Sequence, residues 1–151
     1  MDLTVDESTF AEEVWLPEPG LVRAALLFAR ELAYPDLKPS HYLARLDDWI
    51  TTLRRRLPWD TSVEEKTSIA ARFLFKEVGL QGNEAEYYDP RNSFLNEVVD
   101  RRLGIPIALS AIFLHVAGAV GLEAEGIGLP GHFIVAVRDG ETRYFIDPFA
   151  G

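Results

Sequence analysis

From residue 107 to residue 120 the chain carries no charge, and its polar side chains are Ser110 and His115. A helix that is apolar on nearly all sides is a central, buried one. Pro106 suits the first helical position, where a missing N–H has no intrahelical partner and φ is already helical. Gly121 stands where the residue just past a helix C-cap belongs. A run of about 14 residues is too short to cross a bilayer.

Upstream, apolar residues recur at helical spacing. A short helix is expected around residues 8–15, and a second over 21–33 with Leu21, Ala24, Ala25 and Phe28 on one stripe, ended by Tyr34-Pro35. Ser40 can cap a third, running to about Leu57 on Leu43, Leu46, Trp49, Ile50 and Leu53. Arg54, Arg55 and Arg56 in its last turn read as a solvated helix end that favours the dipole. Ser62 and Glu65 are spaced as a capping box for a fourth, carrying Ile69, Phe73, Leu74 and Val78 and stopped by Gly79. Residues 81–88 form a polar loop, and Asp89-Pro90-Arg91-Asn92 a turn. Asn92 or Ser93 then caps a helix through Arg102, which Gly104 ends.

After Gly121 the period drops to two. Residues 122–129, 132–138 and 141–147 read as strands joined by turns at Leu129-Pro130-Gly131 and Asp139-Gly140. The expected architecture is one α+β domain over residues 1–151. A helical N-terminal part, about 20–80, packs on a core, 87–151, of one central buried helix and a small antiparallel sheet of about three strands.

A two-residue loop at Asp139-Gly140 would set Arg138 opposite Glu141, Val135 opposite Tyr144, Phe133 opposite Ile146 and His132 opposite Asp147. An imidazole oriented by a carboxylate is the core of a general base. The same pair can equally serve as an ion pair satisfying a half-buried histidine. His115, within the apolar helix, reads as a core histidine satisfied locally. Joined to His132 and Asp147 as a metal site it lacks any local spacing such as His-x-x-x-His. Gly126-Ile127-Gly128 opens no helix, so it is not a phosphate loop.

Charge narrows the partners. The net charge is −9 with pI near 4.8, which argues against nucleic acid or an anionic membrane. No cysteine is present, which removes disulfides, thiolate metal sites and a cysteine nucleophile. The acidic N-terminus lacks the apolar stretch of a signal peptide, so a cytoplasmic protein is expected. Neither cofactor nor metal is expected.

Four blocks stand in a specific order. They are the Asp89-Pro90-Arg91-Asn92-Ser93-Phe94-Leu95-Asn96-Glu97-Val98 run, Arg102-Leu103-Gly104-Ile105-Pro106-Ile107, Gly128-Leu129-Pro130-Gly131-His132-Phe133, and Phe145-Ile146-Asp147-Pro148-Phe149. They resemble the papain-like core of the transglutaminase-like superfamily, and most closely its bacterial SirB-one type branch, the second transglutaminase-like core family. The resemblance covers residues 87–151. In the wider superfamily it implies a Cys-His-Asp triad with the cysteine at the N-terminus of the central helix. His132 and Asp147 match the second and third members, and Pro106 occupies the nucleophile's place. Proline offers neither a nucleophile nor an N–H for an oxyanion hole. The branch commonly continues into a tetratricopeptide-like helical region, which these 151 residues do not include. Related domains inside F-box proteins suggest, by analogy, protein recruitment.

The expected function is that of a non-catalytic module that binds a protein or peptide. Its cleft would be lined by His132, Asp147, Asn96 and Arg102 at the N-terminal end of the central helix, where anionic groups are favoured. The alternative is a cryptic hydrolase or acyl-transferase using a water activated by His132 and Asp147, or a serine. Ser110 lies one turn into the helix and Ser93 at a helix start, so neither is well placed.

Overall fold

The computed structural model describes residues 4–151. Six helices precede a three-stranded meander: α1 (Phe10–Val14), α2 (Leu21–Leu32), α3 (Pro39–Arg56), α4 (Val63–Arg72), α5 (Leu95–Arg101) and α6 (Pro106–Ala119). Two short strands, β1 (Gln81–Gly82) and β2 (Leu103–Gly104), flank α5, and β3 (Glu123–Leu129), β4 (His132–Asp139) and β5 (Thr142–Ile146) follow α6. The fold is α+β, as the change of period predicts.

α6 is the centre. α2, α3, α4 and α5 pack on it, as do β3 and β4. Leu109, Ile112, Phe113 and Val116 have no exposed surface, and Phe113 stacks on Phe75 with ring centroids 5.9 Å apart. Its end follows the Schellman pattern. Leu122 N–H donates to the Ala117 carbonyl at 3.0 Å and Gly121 N–H to Gly118 at 3.2 Å, with Gly121 at φ +83°.

Several helix boundaries differ from expectation. α3 begins at Pro39 with Lys38 as N-cap, because a carboxylate distant in sequence does the capping. Asp6 accepts the Ser40 N–H at 2.8 Å and the Ser40 hydroxyl at 2.5 Å. Ser62 caps α4, accepting the Glu65 N–H at 3.1 Å. α4 runs on into a π-helical turn, Phe73–Glu77. The wider turn buries Phe73, Leu74 and Phe75 in succession, which a single 3.6-period stripe could not do. α5 has Phe94 as its N-cap, not Asn92 or Ser93, and it ends at Arg102 in the left-handed region at φ +63°. Gly104 is an extended strand residue. The loop expected over 81–88 contains β1, which pairs in parallel with β2, Gln81 beside Leu103 and Gly82 beside Gly104.

The arginine run is not simply solvated. Arg54 donates to the Ala119 carbonyl at 2.7 Å, and Arg56 pairs with Glu77 and lies over the Phe73 ring.

In the meander the order is β3-β4-β5. The second hairpin turns at Gly140-Glu141, with Asp139 opposite Thr142. Gly140 has φ +60° and Glu141 does not share the positive region, which is the II′ turn with glycine first. An Asp139-Gly140 loop of type I′ would need positive φ at both residues. The ladder therefore sits two residues from the expected register. Val135 faces Ile146, Val137 faces Tyr144, and Arg138 faces Arg143. Glu125 of β3 lies against both arginines and offsets their repulsion.

Candidate functional site

His132 opens β4 directly after the Pro130-Gly131 turn, and Asp147 follows the last residue of β5. The two are not directly opposite, as expected, but diagonal. Because the shift is by two residues, both stay on one sheet face, and diagonal side chains can still meet. His132 Nε2 and Asp147 Oδ2 are 2.8 Å apart. With the proton on Nε2 the ring donates to the carboxylate and Nδ1 is left as the basic nitrogen.

Pro148 prevents β5 from continuing as a ladder strand, and the chain folds back over the carboxylate. Asp147 Oδ1 accepts the backbone N–H of Phe149 at 3.1 Å and of Ala150 at 3.2 Å. Burial pushes the Asp147 carboxyl up, but the His132 hydrogen bond and these N–H donors outweigh it and hold it below its ordinary value. The site keeps a charged carboxylate behind an oriented imidazole, which is the base half of a triad.

A line of contacts links this pair to the start of α6. The Phe149 ring stands edge-on to His132, centroids 6.4 Å apart, and to Tyr87 at 5.9 Å. Phe149 lies directly on Gly82, where a Cβ would come within 2.4 Å of the ring. Gly82 pairs with Gly104, two residues before Pro106. Pro106 is the first residue of α6, buried, with Ile105 as a cap that offers no side chain.

Two buried asparagines, which the sequence reading treats as loop and turn, hold this end together. Asn83 Nδ2 donates to Asn92 Oδ1 at 3.0 Å. Asn92 Nδ2 donates to the carbonyls of Glu86 at 2.7 Å and Tyr87 at 3.1 Å. The Ile105 N–H in turn donates to the Asn92 carbonyl at 3.2 Å. The signal was an asparagine inside a specific block, Asp89-Pro90-Arg91-Asn92. Its first member also anchors the turn: hydrogen bonding to Arg91 draws the Asp89 carboxyl down to about 2.

The remaining expected site residues make other contacts. Arg102 stacks on Trp49, its guanidinium carbon 4.9 Å from the ring centroid, and bonds back to the Val99 carbonyl. Asn96 lines a cavity beside the α2–α3 connection. Neither shares a hydrogen bond or a described cavity with His132 or Asp147. Ser110 is fully buried with its Oγ unpartnered, and Ser93 ends the turn Pro90–Asn92. His115 is not locally satisfied: its Nε2 is buried without a partner. Among the described residues no three acidic, histidine or cysteine side chains gather to hold a metal, and no helix is long and apolar enough to cross a membrane.

A family profile described as transglutaminase-like superfamily matches residues 40–151. A UPF0162 protein of Xylella fastidiosa is 39% identical over 148 residues, 98% of this chain and 49% of that protein. A UPF0162 protein of Vibrio cholerae is 33% identical over 91 residues, 58% of this chain and 34% of its own length. F-box only protein 21 of Homo sapiens is 32% identical over 76 residues, 50% of this chain and 12% of that protein. The chain thus spans about half the length, 49%, of the Xylella relative that it matches almost end to end. No solved structure matches it.

Proposed function

This chain belongs to the transglutaminase-like superfamily, and we propose that it is a cytoplasmic, single-domain binding module of that superfamily, with a protein or peptide as its guest and no acyl-transfer chemistry. The observation that carries this reading is Pro106 as the first residue of α6 in a chain without cysteine. Covalent acyl transfer needs a thiolate or alkoxide to attack the carbonyl. A proline ring, whose nitrogen is a tertiary amide in the chain, supplies neither, and the serine one turn further is sealed in the core. A base without a nucleophile or metal is incomplete.

The His132–Asp147 pair then acts as a recognition element. Nδ1 of the imidazole can accept an N–H, or donate once protonated. The start of α6 favours a carboxylate or a peptide C-terminus. The recurrence of half this chain inside the much longer F-box only protein 21 supports a module embedded in larger proteins. The hydrolytic alternative, a water activated by His132 and Asp147, has the intact 2.8 Å contact in its favour.

The test is a pair of measurements on the purified chain. Ester, amide and glutamine-transfer assays are expected to give no turnover above that of His132→Ala; turnover abolished by His132→Ala would overturn the proposal. Pro106→Cys is expected to be alkylated by iodoacetamide about tenfold faster than a free cysteine at neutral pH, because a helix N-terminus and a nearby imidazole both lower a thiol pKa. A folded Pro106→Cys thiol no more reactive than the control would remove Pro106 from the nucleophile's place.

A further inference from the structure

α2 buries Val22, Ala24, Leu26, Leu27 and Ala29. What it leaves open is an apolar stripe of Leu21, Ala25, Phe28 and Leu32. Leu21 is 54% exposed and Leu32 63%, Phe28 is exposed too, and Ala25 is half-buried between them. A single exposed leucine needs no explanation. These four follow one another at steps of four, three and four, which is the seam spacing of a helix pair.

α1 widens the stripe. The Phe10 ring stands edge-on to Phe28, centroids 5.7 Å apart, and the Glu13 carboxylate accepts the Gly20 N–H at 3.0 Å. α1 therefore runs antiparallel along α2, toward its start. That brings Val14, Trp15 and Leu16, all exposed, to the Leu21 end. Six large apolar residues, each about half exposed, leave roughly 600 Å² open. The largest patch on a typical monomer is ~300–600 Å² and is often functional. A stable interface takes ~800 Å² from each partner, about 65% of it apolar between identical chains. The patch has that apolar area.

Charge gives no foreign helix a hold here. Every charged side chain of α2 is bound within its own chain. Arg23 lies 3.3 Å from Glu13, Arg30 donates to the carbonyls of Asp6 and Ser8, and Glu31 accepts the Phe10 N–H at 2.9 Å. The stripe is left with apolar matching alone.

Its spacing matches itself. Steps of four, three and four read the same in both directions. Two copies of α2 laid antiparallel about a two-fold axis set Leu21 against the partner's Leu32 and Ala25 against the partner's Phe28, so that small meets large twice. We infer that the chain pairs with a second copy through this stripe, the two α2 helices antiparallel and each Phe28 seated over the other copy's Ala25.

Sedimentation equilibrium of the 151-residue chain tests it. At about 100 µM, the weak end for an interface of this size, the mass is expected to be twice the 17.0 kDa of one chain, falling on dilution. Salt is expected to tighten the pair, because each copy carries −9 and the stripe itself is uncharged. Leu21→Lys alone, or Leu32→Glu alone, places unpaired charges in the seam and should weaken it on the order of a hundredfold. The two together should restore it to within about tenfold, because each introduced ammonium then meets the other copy's introduced carboxylate. Within one chain the two positions are about 17 Å apart along the helix and cannot pair. Both residues are more than half exposed, and circular dichroism checks that each variant keeps its helices. A chain that is monomeric at about 100 µM would overturn the inference. So would a dimer indifferent to either single change, which would place the contact elsewhere, or a double variant no better than the singles, which would exclude the antiparallel register.

Discussion

At the C-terminal end of α6 four successive carbonyls are answered. Ala117 and Gly118 accept the N–H groups of Leu122 and Gly121. Ala119 accepts from Arg54 of α3, and Val120 from Lys66 of α4 at 3.0 Å. Two cations from two other helices sit where the dipole is negative. At the N-terminal end there is no capping side chain. Pro106 has no N–H, Ile107 is 55% exposed, and the entry is set by one backbone hydrogen bond from Ile105 to Asn92. One end is closed by side chains and charge. The other is positioned by buried asparagines and has no side-chain cap. Stability is invested at the C-terminal end, whereas the N-terminal end is linked to His132 only through Phe149, Gly82 and Gly104.

The largest test of this contrast is Asn92→Ala. It removes three side-chain hydrogen bonds at a position with no exposed surface, and about 3 kcal/mol of stability should go with them. Urea unfolding measures it; a loss under about 1 kcal/mol, the size of an ordinary surface change, would mean the asparagines do not hold the N-terminal end.

Gly82→Ala is next. Its Cβ would fall 2.4 Å from the Phe149 ring, so Phe149 must move, at a cost of about 1–3 kcal/mol. The sharper readout is the His132 ring resonances, which should shift because Phe149 touches both groups. Unchanged His132 signals in a folded Gly82→Ala chain would cut the line from the dyad to α6.

Lys66→Met probes the closed end. A cation on a helix C-terminus contributes ~0.3–1 kcal/mol, screened by salt. The loss should therefore shrink as ionic strength rises, whereas the Asn92→Ala loss should not.

The smallest effects separate by pH. Burial pushes the His115 imidazole below its ordinary 6.5, with Asp47 opposing weakly. Below 6.5 the unfolded chain takes up a proton that the folded chain refuses, so stability falls as pH drops toward the depressed native value. His115→Leu should flatten that stretch of the profile. Asp147 acts lower. Its native value lies beneath the ordinary 3.8, so its contribution is complete above 3.8 and is lost as pH falls through the native value. Asp147→Asn should lower stability at neutral pH and converge on the unaltered chain in acid. Chemical denaturation across pH 2–8 checks both, in two windows set by one residue on each side of the contrast.

How much of this was legible in the sequence depends on what kind of signal each residue carries. α6 was plain from end to end, since an uncharged run between Pro106 and Gly121 has one physical reading. The three strands were plain from alternation. The register was not. Asp-Gly suggests a I′ loop, but glycine in the first loop position serves a II′ turn as well, and both suit the twist of the strands. The His132–Asp147 contact survived because an even shift preserves the face. Ser40 failed as a cap because the helix starts earlier, at Pro39, and Asp6, far off in sequence, accepts the N–H of Ser40 itself. The roles of Asn83 and Asn92, and the contacts that Asn96 and Arg102 make, depend on which loops come together, and spacing along the chain carries no record of that.

The parallel pairing of β1 with β2 has a consequence in time. Gln81 N–H donates to the Arg102 carbonyl at 3.0 Å and Asn83 N–H to Gly104 at 3.1 Å, closing the chain between them, α5 included, into a ring. Rupture of one rung loads the other, and the Asn83–Asn92 bond ties the start of the ring to its middle. The ring is expected to open as one cooperative unit, with its amide hydrogens exchanging with solvent at a common rate. Leu95, Val98 and Val99 of α5 are buried inside that ring, so its opening exposes core. The first turn of α6 thus shares its clock with a segment that must partly unmake the interior to move. The start of α6 is therefore fixed on any timescale shorter than that opening.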